Sequence, residues 1–386
     1  MKGFFKRLGE AWNIAGITFL FFILIEIFFR IYFMFSSSND PRIQADCYQN
    51  AEWVDNYYSE FAECNNSRWE PYVYWKRKPF TGEYIHVDQN GSRKTITKSH
   101  PLSGNQPQIN LFFLGGSSMW GSGVRDANTI PSLTGNELTI KGFNPRISNF
   151  GESGYVSSQE VAKLIIELKN GNIPDIVVFY DGANDIFSSL QSGKAGFPQN
   201  ENNRVKEFNT LKEKKKSFLV FFQSLRSLAT VKFINRQFGG GQVVFQELQE
   251  SELQDLAQST VYYYNENIRL VNALAKEYGF QAVFYWQPTI FDKAYLSEYE
   301  KSEMENIKDL KKITEEVNSK LFMDDLQYEN IRFYNLTNLF REIRDPLFID
   351  WCHVCENGNL IISQRMARDL MPVLDSLNTG HKQFNE

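Results

Sequence analysis

The sequence predicts an α/β protein: a three-layer α/β/α domain with a central, mostly parallel sheet, preceded by one N-terminal transmembrane helix. From residue 109 onward, short apolar runs that end at Gly, Asp or Gln-Pro alternate with segments of helical periodicity. Most of the runs are apolar at nearly every position, as in strands that are buried on both faces. A single long apolar segment lies near the N-terminus, and the remaining 350 or so of the 386 residues can form a sizeable core.

The N-terminal apolar segment spans residues 14–35, about the 20 residues that a helix needs to cross a bilayer. Glu26 and Arg30 interrupt it, but they are four residues apart and can pair on one helical face. Three cations precede the segment, Lys2, Lys6 and Arg7. By the positive-inside rule, residues 1–13 are cytoplasmic and everything after the span is exported. We therefore predict a single-pass protein of the cytoplasmic membrane whose main domain is extracytoplasmic (periplasmic).

Residues 36–105 form a polar, aromatic-rich stem. Within it, the segments 72–75 and 83–87 resemble two short strands, and Asn90-Gly91 is a turn signal. We expect a small β element that packs on the main domain, and nothing in this stretch indicates a catalytic role.

The chain has four cysteines, Cys47, Cys64, Cys352 and Cys355. In an oxidising compartment, a Cys47–Cys64 bridge would close a short loop and stabilise the fold by about 3 kcal/mol. The connectivity does not follow from sequence. Cys352-His353-Val354-Cys355 also resembles part of a zinc site, but a complete site needs further ligands, so we expect no metal.

The segment 106–378 carries the predicted sheet. Its strands are expected at 109–114, 146–150, 175–180, 281–286 and 331–335, with helices at 158–170, 251–278 and 304–322. The polar, lysine-rich stretch 187–241 interrupts this alternation, and we interpret it as an insertion or lid.

Residues with catalytic chemistry follow the strands, where parallel sheets gather their functional groups. Ser117 follows the first strand as a possible nucleophile, and His353 with Asp350 supplies a general base and its orienting carboxylate. Gly154 and Asn184, after the next two strands, offer a backbone N–H and an amide for an oxyanion. Gln287, after the fourth strand, is expected either to line the pocket or to cap the strand.

These blocks resemble the SGNH (GDSL-type) hydrolase superfamily, over about residues 109–370. Ser117, Gly154, Asn184 and His353 fall on the four name-giving positions, and Asp350 falls on that of the triad acid. The resemblance implies a flavodoxin-like sheet and a serine acyl-transfer mechanism without a cofactor. Gly116 departs from the family, which commonly has Asp before the serine. The Gly-Gly-Ser version is similar to that of membrane-anchored bacterial members associated with cell-surface polysaccharides.

The predicted function is therefore a serine esterase acting on acyl (O-acetyl) esters of extracytoplasmic glycans. One alternative is an O-acyltransferase that uses the same site in cell-surface polysaccharide modification. Another is a non-catalytic glycan-binding or assembly protein on the same fold. The formal net charge of −5 gives no indication of a nucleic-acid partner, and the lysine of a phosphate-binding P-loop is missing after Gly116. The oligomeric state does not follow from sequence.

Overall fold

A computed structural model describes residues 2–35, 40–97, 107–212, 228–238, 248–305, 307–321 and 328–383. Parts of the predicted insertion, 213–227 and 239–241, lie outside these ranges. The chain forms two compact units, one of residues 1–38 with 202–244 and the other of residues 39–201 with 245–386.

The helices, numbered along the chain, are α1 (Lys2–Phe35), α2 (Val54–Cys64), α3 (Ser117–Trp120), α4 (Ile130–Ile140), α5 (Ser157–Lys169), α6 (Ala183–Ser192), α7 (Glu201–Lys212), α8 (Ala229–Phe238), α9 (Glu250–Tyr278), α10 (Glu298–Glu305), α11 (Lys308–Lys320) and α12 (Glu356–Gln383). The strands are β1 (Ser67–Glu70), β2 (Tyr74–Arg77), β3 (Phe80–Thr81), β4 (His86–Val87), β5 (Gln108–Gly115), β6 (Asn144–Asn149), β7 (Ile176–Asp181), β8 (Gln281–Trp286) and β9 (Ile331–Asn335).

The first unit is built on α1, in which Gly9–Phe33 is long and apolar enough to cross a membrane. Glu26 pairs with Arg30 at 2.9 Å, as the four-residue spacing predicts. The same carboxylate accepts the backbone N–H groups of Ala229 and Thr230 at 2.9 and 3.0 Å and so caps the N-terminus of α8. The Phe29 ring stacks on the α8 residue Phe233 at 4.2 Å. The acidic residue inside the apolar segment thus has both a cation and a helix end as partners.

The second unit contains a five-stranded parallel sheet in the order β6-β5-β7-β8-β9. This is the flavodoxin-like order, with the first strand of the sheet lying second from one edge. Helices α5, α6, α9 and α11 cover one face of the sheet, on which Phe112 and Leu114 are buried. Helices α4 and α12 cover the other face, against Leu111 and Phe113. The predicted three-layer α/β/α fold is confirmed, with apolar side chains buried on both faces of the sheet.

Two local predictions differ from the structure in their bounds. Of the predicted strand 72–75, Tyr74 and Trp75 begin β2, whereas Tyr72 lies in the turn before it with positive φ; of the predicted strand 83–87, only His86 and Val87 form β4. β1 pairs with β2 and β3 pairs with β4, so the stem holds two hairpins. The predicted helix 304–322 corresponds to α11, whereas Met304 and Glu305 end α10.

The stem hairpins are joined to the sheet by two buried arginines. The guanidinium of Arg77 lies 3.9 Å from the centre of the Trp120 ring, and that of Arg93 lies 4.3 Å from it. Arg93 also pairs with Asp126 at 2.8 Å and donates to the Val124 carbonyl at 2.7 Å. Because buried charges are stable only when paired and hydrogen-bonded, these contacts tie the stem to the segment after β5.

Candidate active site

Ser117, His353 and Asp350 lie in one hydrogen-bonded row. The His353 Nε2 atom is 2.6 Å from the Ser117 Oγ, and its Nδ1 atom is 2.6 Å from the Asp350 Oδ2. The carboxylate and the hydroxyl thus lie on opposite sides of the ring, and the neutral histidine can accept the serine proton at Nε2 while Nδ1–H donates to the carboxylate. This is the geometry in which a histidine activates a serine hydroxyl.

Local structure fixes the two ends of this row. β5 ends at Gly115, and the chain turns through Gly116 into α3, whose first residue is Ser117. At the other end, the Asp350 Oδ1 atom accepts the backbone N–H groups of Cys352 and His353 at 3.0 and 2.8 Å. The aspartate thus folds its own loop and holds the histidine ring.

Arg42, which follows the N-terminal apolar segment, contacts the acid of this row. Its Nη1 atom is 3.7 Å from the Asp350 Oδ2, and Asp40 holds the guanidinium with two bonds of 2.8 and 2.7 Å. Burial alone raises the pKa of Asp350, but His353, Arg42 and the Cys352 N–H together bring that pKa well below its usual range. The carboxylate therefore stays ionised in acid, which keeps the histidine oriented.

Asn184 lies at the start of α6, beside the turn that carries Ser117. Its Nδ2 donates to the Tyr155 carbonyl at 2.8 Å, and its Oδ1 accepts from the Gln199 side chain at 3.2 Å. The amide leaves no room for a side chain at position 116, since a Cβ on Gly116 would lie 2.0 Å from the Asn184 Nδ2. Glycine at position 116 thus lets the Asn184 amide lie directly against the turn that carries Ser117.

Gly154 lies in the loop between β6 and α5, with a φ of +76° that favours glycine. Stem residues hold this loop. The Trp75 Nε1 donates to the Ser153 carbonyl at 2.8 Å, and Arg77 pairs with Glu152 at 3.4 Å. A Cβ at position 154 would meet the Gln199 side chain at 2.9 Å, so Gly154 and Asn184 share Gln199 as a neighbour.

Gln287 contacts the loop of residues 350–353, which carries Asp350 and His353. Its Nε2 donates to the Cys352 carbonyl at 3.4 Å, and the Ser118 hydroxyl donates to the same carbonyl at 3.3 Å. Gln287 is buried. Its side chain thus links the end of β8 to the loop of residues 350–353.

Three buried carboxylic acids support the loop that carries Asn184. Asp185 accepts from the Ser157 hydroxyl at 2.6 Å, and Asp181 accepts from the Tyr264 hydroxyl at 3.1 Å. Burial raises the pKa of Asp181 to about 7. The Asp185 carboxylate also raises this pKa, whereas the hydrogen bonds with Glu160 and Tyr264 lower it. Burial likewise raises the pKa of Asp185 to about 6 and that of Glu160. We infer that Glu160 and Asp181 share a proton near neutral pH.

This pair predicts a pH-dependent stability. A folded-state pKa above the unfolded value means that the folded protein keeps protons that the unfolded chain releases, so stability falls as pH rises from about 4 to about 7. Asp181→Asn should weaken this fall and raise stability at about pH 8 by on the order of 2 kcal/mol. Melting temperatures at about pH 5 and about pH 8 test this, with Asp88→Asn as a matched surface control. An equal pH slope in the Asp181→Asn and wild-type proteins would contradict it.

The four cysteines are thiols, and the Cys47–Cys64 pairing considered from sequence is not the arrangement in the structure. The Cys64 sulfur lies 3.9 Å from the Arg77 Nη1, whereas the Cys47 thiol hydrogen-bonds to Cys355. The hydrogen bond from Cys47 lowers the pKa of Cys355, although burial alone would raise it. The backbone N–H groups of Gly358 and Asn357, at the start of α12, lower this pKa further.

We therefore expect mild oxidation to join Cys47 to Cys355. With hydrogen peroxide, which is small enough to reach a buried thiol, the Cys355 thiolate is oxidised to a sulfenic acid with release of hydroxide, and the Cys47 thiol then displaces water to form the disulfide. Peptide mapping should give a 47–355 cross-link that Cys355→Ser abolishes and Cys64→Ser preserves. A dominant 47–64 peptide would contradict the expectation.

Among the described residues, Asp350, Cys352 and His353 form the one group of potential metal ligands whose donor atoms all lie within 4.8 Å of one another. Both ring nitrogens of His353 are already hydrogen-bonded, to Asp350 and Ser117. Such an arrangement matches proton transfer between serine and histidine.

The sequence did not indicate the roles of Arg42, Gln199, Trp75 and Arg77. Each lies in a segment interpreted as stem or insertion, and no local motif marks it. Only their contacts with Asp350, Asn184 and the Gly154 loop identify them.

No protein-family model matches the chain, and no curated protein matches it. Solved structures that are similar to it include an acetyl xylan esterase, AlAXEase, at 14% identity and a TM-score of 0.34, covering 68% of this chain and 100% of that one. A lipase from a goat rumen metagenome has 12% identity and a TM-score of 0.40, covering 67% and 97%. A member of the lipolytic G-D-S-L family from Veillonella parvula has 14% identity and a TM-score of 0.38, covering 69% and 98%. At these TM-scores the fold assignment rests on the strand order and helix layers described above.

Proposed function

We propose that the protein is an SGNH-type serine esterase that works through an acyl-enzyme. The observation that carries the proposal is the row of two 2.6 Å contacts, from the Ser117 Oγ to the His353 Nε2 and from the His353 Nδ1 to the Asp350 Oδ2. A hydroxyl, a base and an orienting carboxylate in this order are the parts that nucleophilic catalysis by serine requires.

In the proposed reaction, the Ser117 Oγ attacks the ester carbonyl while its proton passes to the His353 Nε2. The tetrahedral oxyanion is stabilised by the Gly154 N–H, the Asn184 amide and the Ser117 N–H. The imidazolium then gives its proton to the leaving alcohol, and the acyl group stays on Ser117. Water, deprotonated by His353, attacks the acyl-enzyme and releases the acid.

We infer that the substrate is an O-acyl, in particular O-acetyl, ester of a glycan outside the cytoplasm. The Gly-Gly-Ser form of the first block supports the glycan, through its similarity to membrane-anchored members associated with cell-surface polysaccharides. The three cations before the apolar segment, Lys2, Lys6 and Arg7, support export of the catalytic domain.

The test uses the full chain in detergent micelles. A fluorophosphonate should label Ser117, and the protein should turn over an aryl acetate. Ser117→Ala should lose both reactions, whereas Ser319→Ala, which removes an exposed helix hydroxyl, should lose neither. If the wild-type protein shows neither reaction, the enzyme proposal fails and a binding or assembly role remains.

Hydrolysis and transfer differ in the nucleophile that reaches the acyl-enzyme. Turnover of the aryl acetate is therefore repeated with oligosaccharide acceptors, and acetylated sugars are measured by mass spectrometry. Free acetate as the main product supports the esterase. Acetylated acceptor as the main product would replace the esterase with an O-acyltransferase using the same site.

A further inference from the structure

A cavity of about 950 Å³ lies along the edge strand β6. Residues of β1 to β4 form one side, and α5 with the turn after it forms the other. None of Ser117, Asp350 or His353 lines it. The volume is within the range of ligand-binding clefts, so the cavity can hold a molecule of sugar-oligomer size.

The lining of this cavity is strongly cationic. Six basic residues contribute to it, compared with three carboxylates, so the electrostatic balance favours an anion. The cations are Arg68, Lys76, Arg93, Lys94, Arg146 and Lys163, and the carboxylates are Glu70, Asp88 and Glu167.

Several of these cations have carboxylate partners within the fold. Arg93 pairs with Asp126 at 2.8 Å, Arg68 lies 3.8 Å from Glu70, and Lys163 pairs with Glu167. Lys76 is only 8% exposed, and within the described part of the chain it makes no ion pair. A buried ammonium group without a carboxylate is unfavourable unless a further anion is bound.

The environment of Lys76 reflects this cost. Burial first, and then the neighbouring Lys163 ammonium, lower the pKa of Lys76 to about 8, against the opposing effects of Glu167 and Glu70. Lys163 is already paired with Glu167, so Lys76 is the ammonium group that lacks a carboxylate, and Lys163 beside it adds a second donor for one carboxylate or phosphate.

The remaining walls suit the uncharged part of a sugar. The partly buried Phe150 ring lines the cavity and adds an apolar surface to its wall. The side-chain amides of Asn90, Asn110 and Asn170 line the same cavity and can bond hydroxyl groups.

We propose that this β6-edge groove binds an anionic saccharide, whose carboxylate or phosphate group lies against Lys76 and Lys163. The site is separate from the Ser117 row, and binding there does not depend on esterase activity.

Calorimetric titration of the full chain in detergent tests the proposal, in the Ser117→Ala background so that no ester chemistry intervenes. The probes are an oligogalacturonate for the carboxylate, a sugar phosphate, a neutral cello-oligosaccharide and inorganic phosphate. We expect one of the two anionic sugars to bind at least about tenfold more tightly than the neutral one. Lys76→Met, which keeps the apolar stem, should weaken that binding about tenfold or more, and exposed Lys276→Ala should leave it unchanged.

The pH dependence gives a second readout. Because only the ammonium form attracts the anion, affinity should fall as pH rises through about 8, and Lys76→Met should lose much of that dependence. The other titratable groups that line the groove are His86, Lys94, Lys163, Glu70, Asp88 and Glu167. Equal binding of charged and neutral sugars, unchanged binding in Lys76→Met, or no binding would overturn the proposal. Inorganic phosphate that binds as tightly as the sugars would overturn the saccharide assignment.

Discussion

Asp350→Asn should lower kcat for an aryl acetate by about 10³–10⁴-fold while the protein stays folded. The carboxylate holds the tautomer of His353 in which Nε2 is free to accept the Ser117 proton, and an amide in its place can stabilise the wrong tautomer. The Arg42 cation, 3.7 Å from the Asp350 Oδ2, adds to the loss. In the variant, no carboxylate neutralises this cation, so it destabilises the positively charged imidazolium of His353.

Steady-state kinetics and the rate of fluorophosphonate labelling measure this effect. Asp369→Asn is the matched control, because Asp369 is also an ion-paired aspartate but belongs to α12 and pairs with Arg365 at 2.8 Å. Its activity should stay within a few-fold of wild type. If Asp350→Asn retained more than about a tenth of the wild-type kcat, Asp350 would not be the acid that orients His353.

Gly116→Ala should lower kcat by about 10²–10³-fold through Asn184. Backbone strain is not the cause, because φ at Gly116 is −78°, which alanine adopts freely. A Cβ there would lie 2.0 Å from the Asn184 Nδ2, so the amide must move away from the position in which it can donate to an oxyanion. Loss of one oxyanion donor has an effect of this size in serine hydrolysis.

A double-mutant cycle separates this mechanism from a general disturbance of the turn. Asn184→Ala alone should have a similar effect, and Gly116→Ala with Asn184→Ala together should lose little more than either alone. Losses that multiply would show that position 116 acts independently of the amide. Melting temperatures of all three variants are measured in parallel.

The predictions of the fold and of the candidate site depended mainly on the residues at the ends of the predicted strands. The runs before Gly115, Asp181 and Gln287 are apolar at nearly every position, and such runs form buried parallel strands whose carboxyl ends meet at one edge. Helix periodicity supplied the covering layers. The grouping of Ser117, Asp350 and His353 followed because residues after neighbouring strands are neighbours in space.

The contributions of Arg42 and Gln199 were not predictable, because their side chains reach the site from segments without a periodic pattern. Arg42 precedes Asp350 by about 300 residues, and no spacing rule connects them. The turn between β1 and β2 was not predictable for a related reason. Positive φ at Tyr72 and Tyr74 is rare for aromatic residues, and only tertiary contacts reveal it.

The Trp120 ring, three residues after Ser117, has consequences for how this protein can be recombined. Arg77 and Arg93 lie over that ring, so residues before 97 supply part of the packing next to the nucleophile. Consider a chimera that keeps the hairpins of this chain and takes its sheet from a protein without tryptophan at the position of Trp120. Its two buried guanidinium groups, those of Arg77 and Arg93, would have no aromatic partner. Segments 67–97 and 108–122 should therefore be exchanged together in a chimera, because their side chains pack on one another next to the nucleophile.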